Sequence, residues 1–398
     1  MQDLSQRNPS VELSIVLPCL NEAETIERCV LEGLRALSAA GIAGEVIVAD
    51  NGSSDGSAEI AARCGAIVVP VAERGYGAAL LGGFAAARGQ FILMADADLS
   101  YDLGELPRFI TALRGGAELV MGTRFPRGGG RIEPGAMPTL HRHLGTPVLT
   151  ALTRLFFGAR IGDINCGMRA FHRDALRRMD LRMTGMELAS EIVLKAATLR
   201  QRIVEVPVTL RKDGRSRPPH LHTWRDGWRH LRMLLLFSPR WLFVAPGLIL
   251  TIGGAVALAV LSVGNMRIGD VTFSTNSMLV AAMTLILGTQ MLLMGVFAKT
   301  FVVAERLLPG SRLDRVGSAL TLEAGIGAGA FLALAGIVLV GTAVGIWRRN
   351  GFGPLDGHIA TRLVVLGVTL VILGVQLGWS AFFLGVLALP RRGGKTPS

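Results

Sequence analysis

The sequence predicts an α/β domain built on a doubly wound, mostly parallel sheet, followed by an all-α membrane domain of four transmembrane helices. Three observations predict this. Short apolar runs alternate with helical patterns up to about Arg240. Four long apolar stretches then follow one another, each able to cross ~30 Å of hydrocarbon as a helix. The hydrophobic share of 50% over 398 residues is high for a soluble enzyme.

From Leu13 the alternation runs "LSIVLP", helix Glu22 to Ala40; "EVIVAD", helix Gly56 to Cys64; "AIVVPV", helix Gly77 to Arg88; "FILMAD", helix Leu103 to Arg114; then "ELVMG". A sheet of this kind binds ligands at the carboxyl ends of its strands. After the first strand stands "PCLNE" with Pro18, Asn21 and Glu22, and after the second "DNGSSDGS", opened by Asp50. Asp50 can accept ribose or base hydrogen bonds, whereas turn formation and helix capping suffice for Ser53, Ser54 and Asp55. "RGYGAALLGG" matches a dinucleotide fingerprint poorly, because Leu80 stands where the third glycine belongs, and a dehydrogenase is not supported.

The fourth strand ends differently. The uncharged run Phe91 to Ala95 leads straight into Asp96, Asp98 and Asp102, where repulsion and desolvation both oppose three carboxylates. Two aspartates one residue apart at a strand end offer hard oxygen ligands to Mg²⁺ or Mn²⁺, which supplies the missing positive charge and binds substrate phosphates. Asp96 and Asp98 are therefore the candidate metal ligands.

The expected domains are 1–222 for the sheet, 223–238 for an interfacial amphipathic helix and 239–398 for the four spans, near Trp241 to Ser262, Ser277 to Ala298, Thr321 to Trp347 and Leu363 to Leu389. In "TWRDGWRHLRMLLLF", Arg225, Arg229 and Arg232 alternate with Trp224, Trp228 and Leu231 at helical spacing, as in a helix lying in a bilayer interface. "PVLTALTRLFF", Pro147 to Phe157, is a second candidate of that kind. The opening "MQDLSQRNPSVEL" has no apolar signal core. Lys299, Arg306, Arg312 and Arg315 follow the second span, against Arg267 alone after the first, so a cytosolic sheet domain on a cytoplasmic membrane is expected. Arg348, Arg349 and Arg362 run against that orientation.

The net charge of +11 does not indicate nucleic acid: beyond Arg240, eleven basic residues face five acidic ones, flanking apolar spans where anionic head groups lie. The scattered Cys19, Cys29, Cys64 and Cys166 suit core packing in a reducing compartment.

The ordered set "SIVLPCLNEAETI", "VIVADNGSSDGS", "RGYGAALLGGFAAARGQFILMADADLSYD", "GTRF", "NCGMRAF" and "VPVTLRKDGRSR" resembles the family 2 glycosyltransferases of GT-A fold. Within them it is most similar to the polyprenyl-phosphate glycosyltransferases, a group that includes dolichol-phosphate mannose synthase and bacterial dolichol-phosphate glucose synthase-like enzymes. The resemblance implies that Pro18, Glu22, Asp50 and Asp96 hold the nucleotide and that Asp98 is the principal metal ligand. It implies an acceptor-phosphate role for Arg124 of "GTRF" and for Arg142 of "LHRHLG", making Asp98 and Arg124 the catalytic pair. Arg211 and Arg217 match the two diphosphate-binding cations of an R-x-x-G-x-S-K pattern, with arginine in place of the final lysine. Ser100 stands where some relatives carry a glutamine ligand.

Other polar groups keep plainer readings. His141 with His143, and His220 with His222, lack a third ligand at a zinc spacing. Glu187 and Glu191 lie one helical turn apart, equally suited to pairing with Arg169 or Lys195 and to substrate contact.

The activity these features imply is metal-dependent, inverting transfer of a sugar from a nucleotide-sugar to a polyprenyl phosphate, with UDP-glucose slightly favoured over GDP-mannose by resemblance. The expected partners are the donor, the lipid acceptor and the bilayer, with no nucleic acid; the sequence leaves a homo-oligomer open. A processive polysaccharide synthase would carry a Gln-x-x-Arg-Trp motif, which is absent. A lipid-linked sugar flippase with a sensor domain would need a polar path, yet ionisable residues are nearly absent from the spans.

Overall fold

A computed structural model describes residues 11–216, 223–304, 322–353 and 358–387. The chain divides into two compact units, Met1–Leu234 and Leu235–Ser398.

In the first unit, strands β1 (Leu13–Cys19), β2 (Gly44–Asp50), β3 (Ile67–Pro70), β4 (Phe91–Met94) and β5 (Leu119–Thr123) arise from the apolar runs read in the sequence. Helices α1 (Ile26–Ala39), α2 (Ser57–Arg63), α3 (Tyr76–Ala86) and α4 (Leu106–Arg114) connect them. Each amphipathic helix buries one stripe. In α1 the buried residues are Ile26, Cys29, Val30, Gly33, Ala36 and Leu37, a spacing of three and four that keeps them on one face. In α4 they are Leu106, Phe109, Ile110 and Leu113, behind a proline in the first turn.

After β5 come the short β6 (Arg131–Ile132), α5 (Thr146–Phe157), β7 (Arg169–His172), α6 (Arg173–Met179), α7 (Leu188–Thr198), β8 (Ile203–Pro207), β9 (Thr209–Leu210) and α8 (Thr223–Leu236). The seven-stranded sheet has the order β3-β2-β1-β4-β7-β5-β8. Pairing is parallel except where β7 runs antiparallel between β4 and β5. The sheet is thus mostly parallel, as predicted, with one inserted strand that the alternation of apolar runs does not announce. Strand order reverses at β1, which has β2 on one side and β4 on the other, and this switch point opens a crevice at the carboxyl ends. Ile15, Leu17, Val46, Val48, Leu93, Val120 and Phe109 belong to one continuous core beneath it.

At the opposite end of the strands a polar cluster closes the sheet. Ser14 Oγ donates to Glu45 Oε1 at 2.7 Å, and Arg88 donates to the same carboxylate through its backbone N at 2.9 Å and its Nε at 2.7 Å.

Among its described residues the second unit contains four helices long and apolar enough to cross a membrane: Arg240–Val263, Thr275–Val303, Leu322–Arg349 and Ile359–Leu387. They match the predicted stretches to within a few residues. The last two pack backbone to backbone: a Cβ on Gly329 would lie 2.6 Å from the Gly374 carbonyl oxygen, and one on Gly336 would lie 2.4 Å from that of Gly367. Such close approach of small residues is the usual means of helix association in lipid.

Candidate active site

The crevice is assembled from four loops that bind one another by hydrogen bonds. The loop after β1 and the loop after β2 are stitched together: Asn21 N donates to Ser53 Oγ at 2.9 Å, Ser54 N to Asn21 Oδ1 at 2.8 Å, Glu22 N to Ser57 Oγ at 2.8 Å and Ala23 N to Asp55 Oδ2 at 2.9 Å. Ser53, Ser54 and Asp55 thus tie the two loops together; Asp55 also accepts from Ser57 N at 3.0 Å at the start of α2, whose N-cap is Gly56. Asn21 sits at φ 57°, a left-handed conformation that asparagine tolerates. Pro18 is half-buried in β1, and Asp50 is buried at the end of β2, where its carboxylate accepts from Gly52 N and Ser53 N.

The loop after β4 carries Asp96 and Asp98. Tyr76 Oη donates to Asp96 Oδ1 at 2.8 Å, and Ser100 Oγ donates to Asp98 Oδ1 at 2.5 Å. Between Asp98 and Ser100, Leu99 is held at φ 67°, a conformation costly for a leucine and stabilised by the surrounding bonds. Burial, and then the neighbouring Asp98, push the Asp96 carboxyl up to about 6. The sequence missed Tyr76. Its signal lay in "RGYG": Gly75 has φ +143°, and a Cβ there would lie 2.1 Å from the Thr184 carbonyl oxygen, so only glycine lets this turn approach the 183–185 loop. Glu191 fixes that loop by accepting from Arg182 N and Met183 N, and it pairs with buried Lys195 at 2.7 Å. Glu191 is therefore structural. Glu187 leaves Oε2 buried without a hydrogen-bond partner among the described residues.

Gly167 of "NCGMRAF" has a comparable reason, since a Cβ there would lie 2.5 Å from Asp96 Oδ2. Arg169, fully buried, pairs with neither glutamate: its guanidinium donates to the carbonyls of Cys166, Ala189 and Ile164.

The fourth loop, 211–216, is bonded to the loop after β4 and to the segment after β1. Arg211 N donates to Ser100 O at 2.8 Å, Gly214 N to Asp98 O at 2.9 Å, and Ser216 Oγ to Glu24 Oε1 at 2.6 Å. Arg211 itself pairs with Glu32 at 3.2 Å and with Asp102, away from the two aspartates of the metal motif. Arg215, which the sequence pattern passed over, enters the crevice: it pairs with Glu22 at 2.7 Å and with Asp98 at 3.3 Å. Arg217, His220 and His222 lie outside the described residues.

Arg124, at the end of β5, is buried against Asp163, donating from Nε at 2.6 Å and from Nη2 at 2.8 Å. Arg142 is half-buried before α5. That helix is tied to the 163–165 turn by Asn165 Nδ2 donating to Thr146 Oγ1 at 3.2 Å and Ile164 N to Thr150 Oγ1 at 3.3 Å. The structure thus gathers Glu22, Asp96 and Asp98 with Arg215, and places Asp50, Arg124 and Arg211 at the ends of β2, β5 and β9, each engaged by its own partner.

Among the described residues no group of three or more His, Cys, Asp or Glu side chains forms a ready metal cage. The pair Asp96 and Asp98 nonetheless fits Mg²⁺ or Mn²⁺. Both are hard oxygen donors at a strand end, where burial and then the neighbouring carboxylate raise Asp96, and such ions are commonly held by one or two carboxylates with substrate phosphates and water completing the shell.

Both units of the chain resemble known proteins. A model described as Glycosyl transferase family 2 matches residues 14–180, and one described as Glycosyltransferase family 2 C-terminal transmembrane region matches residues 296–388. The chain is 37% identical over 377 residues to the low-salt glycan biosynthesis hexosyltransferase Agl6 of Haloferax volcanii, covering 94% of this chain and 89% of that one. It is 28% identical over 210 residues to the undecaprenyl-phosphate 4-deoxy-4-formamido-L-arabinose transferase of Salmonella paratyphi B, covering 50% of this chain and 60% of that one. Among solved structures, glucosyl-3-phosphoglycerate synthase from Mycobacterium tuberculosis, in complex with Mn²⁺, UDP and glucosyl-3-phosphoglycerate, aligns with a TM-score of 0.43 at 24% identity, covering 57% of this chain and 78% of that one.

Proposed function

This chain belongs to glycosyltransferase family 2, and we propose that it transfers a sugar from a nucleotide-sugar to a polyprenyl phosphate, with inversion, at the cytosolic face of a membrane. The observation that carries this reading is the pair Asp96 and Asp98 at the carboxyl end of β4, in a chain that continues into four apolar helices. The undecaprenyl-phosphate acceptor named for the Salmonella relative supports a lipid phosphate here. UDP-glucose is the donor we favour.

In this mechanism Pro18, Glu22 and Asp50 line the nucleotide side of the crevice. Asp96 and Asp98 would hold Mg²⁺ or Mn²⁺, which when bound supplies positive charge to the departing diphosphate. Arg211 and Arg217 are assigned to the same diphosphate, Arg211 after exchanging its carboxylate partners. Of the two arginines assigned to the acceptor phosphate, Arg142 takes the contact, because Arg124 is already committed to Asp163 and serves to fix the floor of the acceptor side.

No side-chain base is needed. A lipid phosphate has a second pKa of about 6, like a phosphorylated side chain, and is largely ionised at neutral pH. Its oxygen attacks the anomeric carbon directly, and in-line displacement inverts the sugar. The two bilayer contacts we assign are α8 and the exposed apolar side of α5, where Val148 and Leu155, with Leu144 just before the helix, are uncovered in the sheet unit.

Labelled nucleotide-sugars, tested as a panel against one polyprenyl phosphate in detergent, test the reading. A single-sugar product that extracts into organic solvent, with anomeric configuration opposite to the donor's, is expected. A long polymer, or retained configuration by NMR, overturns it. So does a pH-rate series in which a neutral replacement of Glu187 erases a kinetic pKa without loss of donor binding.

A further inference from the structure

Arg215 occupies a position that its place in the sequence does not explain. Its Nε and Nη2 grip Glu22 at 2.9 and 2.7 Å, and its Nη1 reaches Asp98 Oδ2 at 3.3 Å. Both acids are otherwise assigned to donor and metal, and the arginine side chain is only 14% exposed. Its main chain is held on either side, by Gly214 N donating to Asp98 O and Ser216 N to Glu24 Oε2 at 2.8 Å, so the root of the side chain stays beside the two acids.

The charges make this arrangement a competition. Glu22, Asp96 and Asp98 place three carboxylates around one guanidinium. A divalent cation on Asp98 would stand within a few ångströms of Arg215, and like charges at that range repel strongly in a partly buried site. An anion between them removes the conflict, and a nucleoside diphosphate is such an anion: one oxygen can face the metal and another the guanidinium fork.

We propose that Arg215 is the resident counter-cation of the metal site, competing with the divalent ion for Asp98 until the donor's diphosphate comes between them. The inference rests on Asp98 being a metal ligand. It makes metal and donor bind as a unit, with the metal alone held weakly.

The test is Mn²⁺ binding to the full chain in detergent, followed by electron paramagnetic resonance, without nucleotide and with saturating UDP or GDP. Wild type should bind Mn²⁺ at least tenfold more tightly with nucleotide than without. Arg215→Met should bind Mn²⁺ alone at least fivefold more tightly than wild type, yet bind the Mn²⁺–nucleotide pair at least tenfold more weakly. Arg215→Lys keeps the charge without the fork and should move both constants in the same directions by less; it carries the test if the Met variant does not fold. Constants that move together, or a Lys variant unchanged in both, overturn the inference while leaving Asp98 as ligand. Absence of Mn²⁺ binding to wild type under both conditions overturns the metal reading and this inference with it.

Discussion

Arg124 and Asp163 form a two-pronged ion pair at 2.6 and 2.8 Å, with side chains 9% and 0% exposed. Burial works against the arginine's charge, but the carboxylate holds its pKa well above the ordinary value. Breaking such a pair from one side strands a buried charge, at a cost of roughly 3–5 kcal/mol. Arg124→Met and Asp163→Asn should each lower stability by about that much in chemical denaturation. The double variant should lose less than the sum, and a strictly additive result would show that the pair is not coupled.

Asp98→Asn keeps the shape of the loop, since Ser100 N and Oγ can still donate to the side-chain oxygen. It removes the charge with which Asp98 is proposed to hold the metal. Turnover should fall at least ~100-fold, with Mn²⁺ binding lost and the melting temperature little changed, and excess chelator should silence the wild type equally. Full activity in chelator would refute metal dependence.

Gly75→Ala puts a methyl group 2.1 Å from the Thr184 carbonyl oxygen at a backbone φ of +143°. We expect a loss of roughly 2–3 kcal/mol, together with weaker donor binding because Tyr76 is displaced from Asp96. Gly41→Ala, at φ +62° with nothing within 4 Å of the added carbon, should be milder and leave donor binding intact. Calorimetry of both variants separates backbone strain from steric conflict.

Glu45 predicts an acid-side loss of stability. Burial raises its pKa, but hydrogen bonds from Arg88 and Ser14 outweigh this and hold it below the ordinary 4.5. Since the folded value is the lower one, the stabilisation is complete above about pH 4.5 and is lost as pH falls through the folded value. Glu45→Gln should cost about 1 kcal/mol at pH 7. The difference from wild type should shrink toward pH 3 in thermal melts; a constant difference would remove the charge from the explanation.

The sequence made the parallel half of the sheet legible because β1, β2 and β4 are built on apolar runs, each ended by a turn or a carboxylate. It did not make β7 legible. Four residues, "RAFH", carry too little pattern, and their antiparallel course is set by two neighbours far away in the chain. The site divides in the same way. Asp96 and Asp98 stood out because charge at the end of a buried strand needs a physical reason. Tyr76 and Arg215 did not, because their contacts span 20 and 193 residues and belong to tertiary structure. The pattern that pointed to Arg211 singled out a residue whose partners here are Glu32 and Asp102.

The inserted β7 also orders the protein's folding during synthesis. It pairs with β4 and β5 yet is translated after both, and β8, the other neighbour of β5, comes later still. On the ribosome β1 to β4 can assemble as soon as they emerge, whereas the outer edge of β4 and both edges of β5 stay open until Arg169 and the residues beyond it arrive. A nascent chain that stalls in this interval exposes unpaired strand edges, the template for aggregation. A pause in translation between Thr123 and Pro207 therefore leaves strand edges open until β7 and then β8 arrive, before any of the apolar spans has been made.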